Sequence, residues 1–152
     1  MEPNEMQQVL RELADREEIR DLARRYAHCI WQRDIEGAIE LFAEDGSMEM
    51  DDRPPIVGRA ALVASYRALL DGEFEPFVHN HLIEVDGDRA RGVCYLDLRA
   101  TVRGKAMLGA GHYEDEYVRR DGRWKFLRRR LKMAHFAPVT EGWHQTEEAD
   151  AD

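Results

Sequence analysis

The apolar positions of the chain change period once. From Met6 to Leu70 they recur every three or four residues, and beyond residue 75 they alternate. Met6, Val9, Leu10 and Leu13 mark one side of a short amphipathic helix over residues 5–14. Asp15 with Glu18 has capping-box spacing and predicts the start of a second helix, whose inner side is Ile19, Leu22, Ala23, Tyr26, Ala27 and Ile30. Asp34 predicts the cap of a third helix carrying Ile35, Ala38, Ile39, Leu41 and Phe42. A turn at Asp45-Gly46 leads to a short strand through Met48 and Met50, which Pro54-Pro55 ends. Gly58-Arg59 opens a helix over residues 60–70.

Four strand-like runs follow, at residues 77–85, 90–103, 106–119 and 123–136. They are joined by Asp86-Gly87-Asp88, Arg103-Gly104 and Asp121-Gly122, pairs that suit tight hairpin turns. Helices first and an antiparallel meander afterwards predict an α+β domain with the helices on one face of a curved sheet. We read residues 1–145 as one domain and the acidic residues 146–152 as a disordered tail.

Composition narrows the partners. The 152 residues carry a net charge of -9, which disfavours nucleic acid and anionic membrane surfaces. Arg128, Arg129 and Arg130 are adjacent, but on a strand they alternate between faces and form no single basic patch. No apolar run approaches the roughly 20 residues of a membrane span. The N-terminus has no apolar signal segment, so a cytoplasmic location is expected. Cys29 and Cys94 lack metal-binding spacing and read as free thiols.

The segment Phe77-Val78-His79-Asn80-His81 is the richest in chemistry. An imidazole is a natural base near neutral pH, and regular alternation puts His79 and His81 on one face with Asn80 on the other. On the next strand Cys94, Leu96, Leu98 and Ala100 form one face, and Tyr95, Asp97 and Arg99 the other. Asp97 inside a pocket would orient a histidine. His112 is expected to point away from the pocket, and His28 and His144 to lie on the surface. Gly109 and Gly111 remove side chains from a face expected to line a cavity, with Tyr113 and Met133 beside it. No metal site is expected, because His79 and His81 supply only two ligands. No glycine-rich phosphate loop occurs.

Several segments, in order, resemble the SnoaL-like and scytalone-dehydratase-like family of the NTF2-like superfamily. They are Ile19-Arg20-Asp21-Leu22 with Arg25-Tyr26-Ala27, Asp34, and Leu41-Phe42-Ala43-Glu44-Asp45-Gly46. Gly58-Arg59, Ile83 to Ala90, Tyr113 to Tyr117 and Asp121 to Phe126 complete the pattern. The resemblance implies a cone of helices on a curved sheet around an apolar pocket, and cofactor-free elimination chemistry on small apolar molecules. It also implies an Asp–His dyad that this chain lacks. Trp31 stands at the carboxylate position, five residues after Tyr26, and Pro76 at the imidazole position, four before Asn80. By the same resemblance Arg129 matches a pocket arginine, and Tyr26 a pocket tyrosine or lysine.

The expected function is a cofactor-independent lyase or dehydratase acting on a small aromatic or polycyclic molecule, with no cofactor. His79 or His81 is the expected base, oriented by Asp97, with Tyr26 polarising a substrate oxygen. Trp31, Asn80, Tyr95, Arg99, Gly111, Tyr113, Arg129 and Met133 are the expected substrate contacts. An isomerase, or a ligand-binding protein without turnover, is the alternative. A pocket histidine in contact with a carboxylate or tyrosine would favour the enzyme. A homodimer or homotrimer is expected from the sheet's outer face.

Overall fold

The computed structural model describes residues 1–51 and 53–142. Its order is α1 (Pro3–Trp31), α2 (Ile35–Glu40), β1 (Phe42–Met50), β2 (Ile56–Val57), α3 (Arg59–Leu69), β3 (Glu73–Asp86), β4 (Arg89–Val102), β5 (Lys105–Arg120) and β6 (Arg123–Pro138). The six strands form one sheet in the order β2-β1-β6-β5-β4-β3. β1 and β6 run parallel and every other pair antiparallel, so the sheet is mixed and open. The helices pack on its concave face, which confirms the expected α+β architecture. The expected tail and His144 lie outside the described residues.

α1 is one helix where two were expected. It starts at Pro3, whose fixed φ suits the first turn, and the Glu2 backbone N–H donates to the Glu5 carboxylate. Asp15 is not a cap. It is buried, and its carboxylate accepts from Arg119 Nη1 at 2.5 Å and from the Trp124 indole N–H at 3.1 Å. Tertiary partners therefore take the acceptor that a helix start would have used. Beyond Asp15 the helix buries Ile19, Leu22, Ala23, Tyr26, Ala27 and Ile30, as the spacing predicts. Met6, Val9, Leu10 and Leu13 stay exposed, because α1 overhangs the sheet there and turns Gln8, Arg11 and Glu12 toward the β3–β4 turn.

Asp34 caps α2, accepting from the Gly37 N–H at 2.9 Å. The expected turn at Asp45-Gly46 is a bulge within β1 instead. The register against β6 shifts between Phe42 and Ser47, and a side chain at Gly46 would meet the Ala43 carbonyl oxygen at 2.8 Å. The meander follows the alternating pattern closely. Arg103 and Gly104 (φ 51° and 76°) and Asp121 and Gly122 (φ 52° and 74°) make two-residue turns with both residues left-handed, which matches the twist of the flanking strands.

The core lies between α1, α2, α3 and the concave face. Tyr26, Phe42, Tyr113, Tyr117, Trp124 and Phe126 dominate it by size, all at most 5% exposed. Burying a side chain of that size contributes about 2–3 kcal/mol, so the rings hold the helices against the sheet and fix the floor of the cavity described below.

Candidate functional site

Between the last turns of α1, α3 and the sheet lies a cavity of about 340 Å³. Ile30 of α1, Leu69 of α3 and Leu70 just beyond it form one wall. Phe74, Pro76, Leu96, Leu98 and Val102 form the wall from β3 and β4. Met48, Met50, Leu131 and Phe136 close the side toward β1 and β6. The side chains of this lining are apolar apart from the phenols of Tyr26, Tyr66 and Tyr113. The Tyr26 and Tyr66 hydroxyls bond each other at 2.7 Å. The Tyr26 ring meets those of Tyr66 and Tyr113 edge-on, at 6.3 and 6.0 Å between centroids. Burial raises the pKa of all three phenols, so at neutral pH they are protonated hydrogen-bond donors.

Beneath the phenols sits Arg129, fully buried. Its Nε and Nη2 reach Asp115 at 3.0 and 3.3 Å, and Nη1 has no hydrogen-bond partner among the described residues. The guanidinium carbon lies 3.6 Å from the Tyr113 ring centroid and 4.4 Å from those of Tyr26 and Phe126. Burial opposes the cation, but Asp115 and the surrounding tyrosines outweigh it and raise the Arg129 pKa. Burial also raises that of Asp115, against the pull of Arg129 and Tyr117. We take the pair as ionised, because the fork geometry gives each charge its partner. Arg129 is thus committed to Asp115 and supports the cavity floor. Expected as a direct substrate contact, it does not line the cavity and lies behind the phenols.

From Asp115 a chain of hydrogen bonds runs to the flank of α1. The Tyr117 hydroxyl donates to Asp115 at 3.0 Å and meets His81 Nε2 at 2.8 Å. Burial, then Arg129, Arg20 and Arg24, lower the His81 pKa to about 4.

The two candidate histidines do not share a face. Asn80 adopts φ 50°, and the β3–β4 register shifts between His79 and Leu82. This bulge sends His81 inward and His79 outward. His79 does meet Asp97, at 2.9 Å, but on the exposed outer face, with Asp97 61% exposed. Tyr95, tilted against His112 at 5.6 Å between centroids, and Arg99, lying over Phe77 at 5.2 Å, are on that face too. Asn80 is exposed in the bulge. None of these residues lines the cavity, and neither does His81.

Gly111 and Met133 are not cavity walls either. A side chain at Gly111 would meet the Lys132 carbonyl oxygen at 2.3 Å, and one at Gly109 would meet Met133 Cε at 2.7 Å. The bulge between β5 and β6 fills the space the two glycines leave. Trp31 is 40% exposed. It donates its indole N–H to the Pro76 carbonyl at 2.7 Å and stands edge-on to Phe77. Of the expected site residues the structure brings Tyr26 and Tyr113 to the cavity, with Arg129 behind them.

Tyr66 and the aliphatic walls are additions to the expected set. Leu62, Tyr66 and Leu69 share helical spacing on α3, which marks Tyr66 as inward-facing. Likewise alternation through Tyr113, Asp115 and Tyr117 places an acid among rings, where it needs a cation such as Arg129.

A shallower groove of about 640 Å³ crosses the outer face. Its charged walls pair with one another, as in Arg91–Glu84 at 2.8 Å and Arg130–Glu114 at 3.5 Å, so it lacks free groups to hold a ligand. Among the described residues no three of His, Cys, Asp and Glu gather as metal ligands, and no helix is long and apolar enough to cross a membrane. Cys29 and Cys94 are free thiols.

The model of the SnoaL-like domain family matches residues 11–130, and the chain belongs to that family. The uncharacterised protein Rv2910c of Mycobacterium tuberculosis is 28% identical over 124 residues, 78% of this chain and 84% of its own length. Among solved structures, a variant of Rv3472 of Mycobacterium tuberculosis, a protein of unknown function, is 30% identical. It covers 88% of this chain and 76% of its own, with a TM-score of 0.74. The hexachlorocyclohexane dehydrochlorinase LinA-type3 of Novosphingobium barchaimii is 22% identical over 88% of this chain and 96% of its own, with a TM-score of 0.80. At that identity the likeness is one of fold.

Proposed function

We propose that the protein binds a small aromatic or polycyclic molecule in the cone cavity, with the ligand's oxygen held by tyrosine hydroxyls. One observation carries this reading. The lining side chains are apolar except for three protonated phenols, and they include no imidazole, carboxylate or amine among the described residues. Such a lining gains from burying a flat apolar ligand and can orient one oxygen, but it offers no base at neutral pH.

A second reading is a cofactor-independent lyase, of dehydratase or carbon–carbon-cleaving type, or an isomerase. The Tyr26–Tyr66 hydroxyl pair favours it, because a protonated phenol can polarise a carbonyl or protonate a departing oxygen. The dehydrochlorinase of the same fold supports it as well. The base that abstracts a proton would then come from the ligand itself or from a group outside the described lining.

A screen of aromatic alcohols, phenols, ketones and halides separates the readings. Binding by calorimetry with unchanged ligand after long incubation fits the binding protein. Product formation that Tyr26→Phe or Tyr66→Phe abolishes fits the lyase or isomerase, and no binding at all overturns both. We also propose a homodimer or homotrimer that covers the outer face, where Phe77, Leu82 and Tyr95 are 42%, 67% and 42% exposed. Light scattering at the monomer mass of 17.7 kDa would contradict it.

A further inference from the structure

We propose that the Tyr113 hydroxyl is the polar anchor of the cavity and that it selects neutral, oxygen-bearing aromatic molecules over carboxylates. This rests on the cone cavity being the binding site.

Tyr113 lines the cavity and is 4% exposed, yet its hydroxyl makes no hydrogen bond with any described residue. The neighbouring phenols are all engaged. Tyr26 and Tyr66 bond each other, and Tyr117 lies between Asp115 and His81. Among the described residues the side-chain atoms sealed without a partner are Arg16 Nε and Arg129 Nη1, so the Tyr113 hydroxyl opens on the cavity and is not sealed in the core. A hydroxyl that opens on an apolar cavity without a protein partner is placed to bond an oxygen of a ligand bound there.

The neighbourhood sets the kind of atom. The Arg129 guanidinium lies 3.6 Å from the Tyr113 ring centroid. A cation on the ring face draws electron density from the phenol and strengthens its O–H as a donor. Burial holds that phenol protonated. In the Tyr26–Tyr66 pair one hydroxyl hydrogen is used within the pair, which leaves the other free.

Carboxylates meet the opposite situation. The lining carries no Lys, Arg or His, and Arg129 is already matched by Asp115 and sealed beneath the rings. A carboxylate would shed its water and gain no cation in return. A ketone, ether or alcohol oxygen loses far less on entry.

Three naphthalenes of similar size test this by calorimetry on the wild type and on Tyr113→Phe: 2-acetylnaphthalene, 2-ethylnaphthalene and 2-naphthoate. The ketone should bind the wild type more tightly than the hydrocarbon, and the naphthoate most weakly. Tyr113→Phe should weaken the ketone roughly 5- to 10-fold, the worth of one hydrogen bond, and leave 2-ethylnaphthalene unchanged. The carbonyl stretch of the bound ketone should lie at lower wavenumber in the wild type than in Tyr113→Phe. If that variant does not fold, the wild-type ketone-to-hydrocarbon ratio and the carbonyl frequency decide. The anchor is overturned if naphthoate binds tightest, or if the ketone gains nothing over the hydrocarbon or keeps its gain in Tyr113→Phe. Tight 2-ethylnaphthalene binding in those cases leaves the cavity reading standing, whereas failure of all three probes to bind overturns both.

Discussion

The Trp31 indole N–H donates to the Pro76 carbonyl across 2.7 Å. These are the two positions at which the family resemblance implies a carboxylate and an imidazole, and the fold brings them into contact here as a tryptophan and a proline. Neither side chain can transfer a proton. The bond ties the end of α1 to edge strand β3 beside the cavity wall, so the position now serves to hold the rim. Trp31→Phe should cost about 1 kcal/mol of stability, the worth of one hydrogen bond, with ligand affinity little changed. Urea denaturation alongside calorimetry checks this. A large loss of affinity at unchanged stability would place Trp31 in the site after all.

His81 should make stability depend on pH. An unfolded imidazole protonates near pH 6.5, whereas in the fold burial and Arg129, Arg20 and Arg24 keep it neutral down to about 4. Between those values the unfolded chain binds the extra proton. The contribution is therefore complete above about pH 6.5 and is lost as the pH falls toward 4. Allowing for solvent screening of a partly exposed ring, it amounts to ~1–2 kcal/mol. Urea midpoints at pH 7 and 4.5 should diverge less in His81→Gln than in the wild type. Equal divergence would remove His81 from the explanation.

Arg129→Met should be among the most damaging single changes. It leaves Asp115 buried without its cation, a loss of about 3–5 kcal/mol. Adding Asp115→Leu should restore part of it, because two apolar side chains no longer leave a buried charge. A double variant less stable than Arg129→Met would show that the pair is not coupled in this way.

Asp34→Ala tests a cap. Loss of the bond to the Gly37 N–H should cost roughly 1 kcal/mol, with ligand affinity unchanged. A stable variant that no longer binds ligand would make Asp34 part of the site.

Much of this fold is written locally. The Asp34 cap, the paired left-handed turn residues and the two faces of β4 all depend on neighbours in sequence, and all are as the pattern predicts. What escaped the pattern depends on distant partners. Asp15 looks like a cap until Arg119 and Trp124 claim its carboxylate. The Asn80 bulge is invisible to alternation, and one extra residue there moves His79 to the outer face. The site was half legible for the same reason. Tyr26 and Tyr113 follow from periodicity, but the burial of Arg129 on Asp115 needs the β5–β6 register, which pairs Asp115 with Arg129 across the strands. Gly109 and Gly111 read in sequence as space for a cavity, and only the bulge beside Met133 shows that neighbouring chain fills that space.

Ligands should enter the cone cavity and not the outer face, and the rest of the functional reading depends on this. Leu98 lies on the cavity wall, so Leu98→Trp should fill the space, and Tyr95→Ala serves as the outer-face control. The measurement is the affinity for 2-acetylnaphthalene by calorimetry, with folding verified by circular dichroism. The account predicts a loss of about 10-fold or more in Leu98→Trp, because overpacking excludes the ring, and wild-type affinity in Tyr95→Ala. Wild-type affinity in folded Leu98→Trp, with binding lost in Tyr95→Ala, would contradict it.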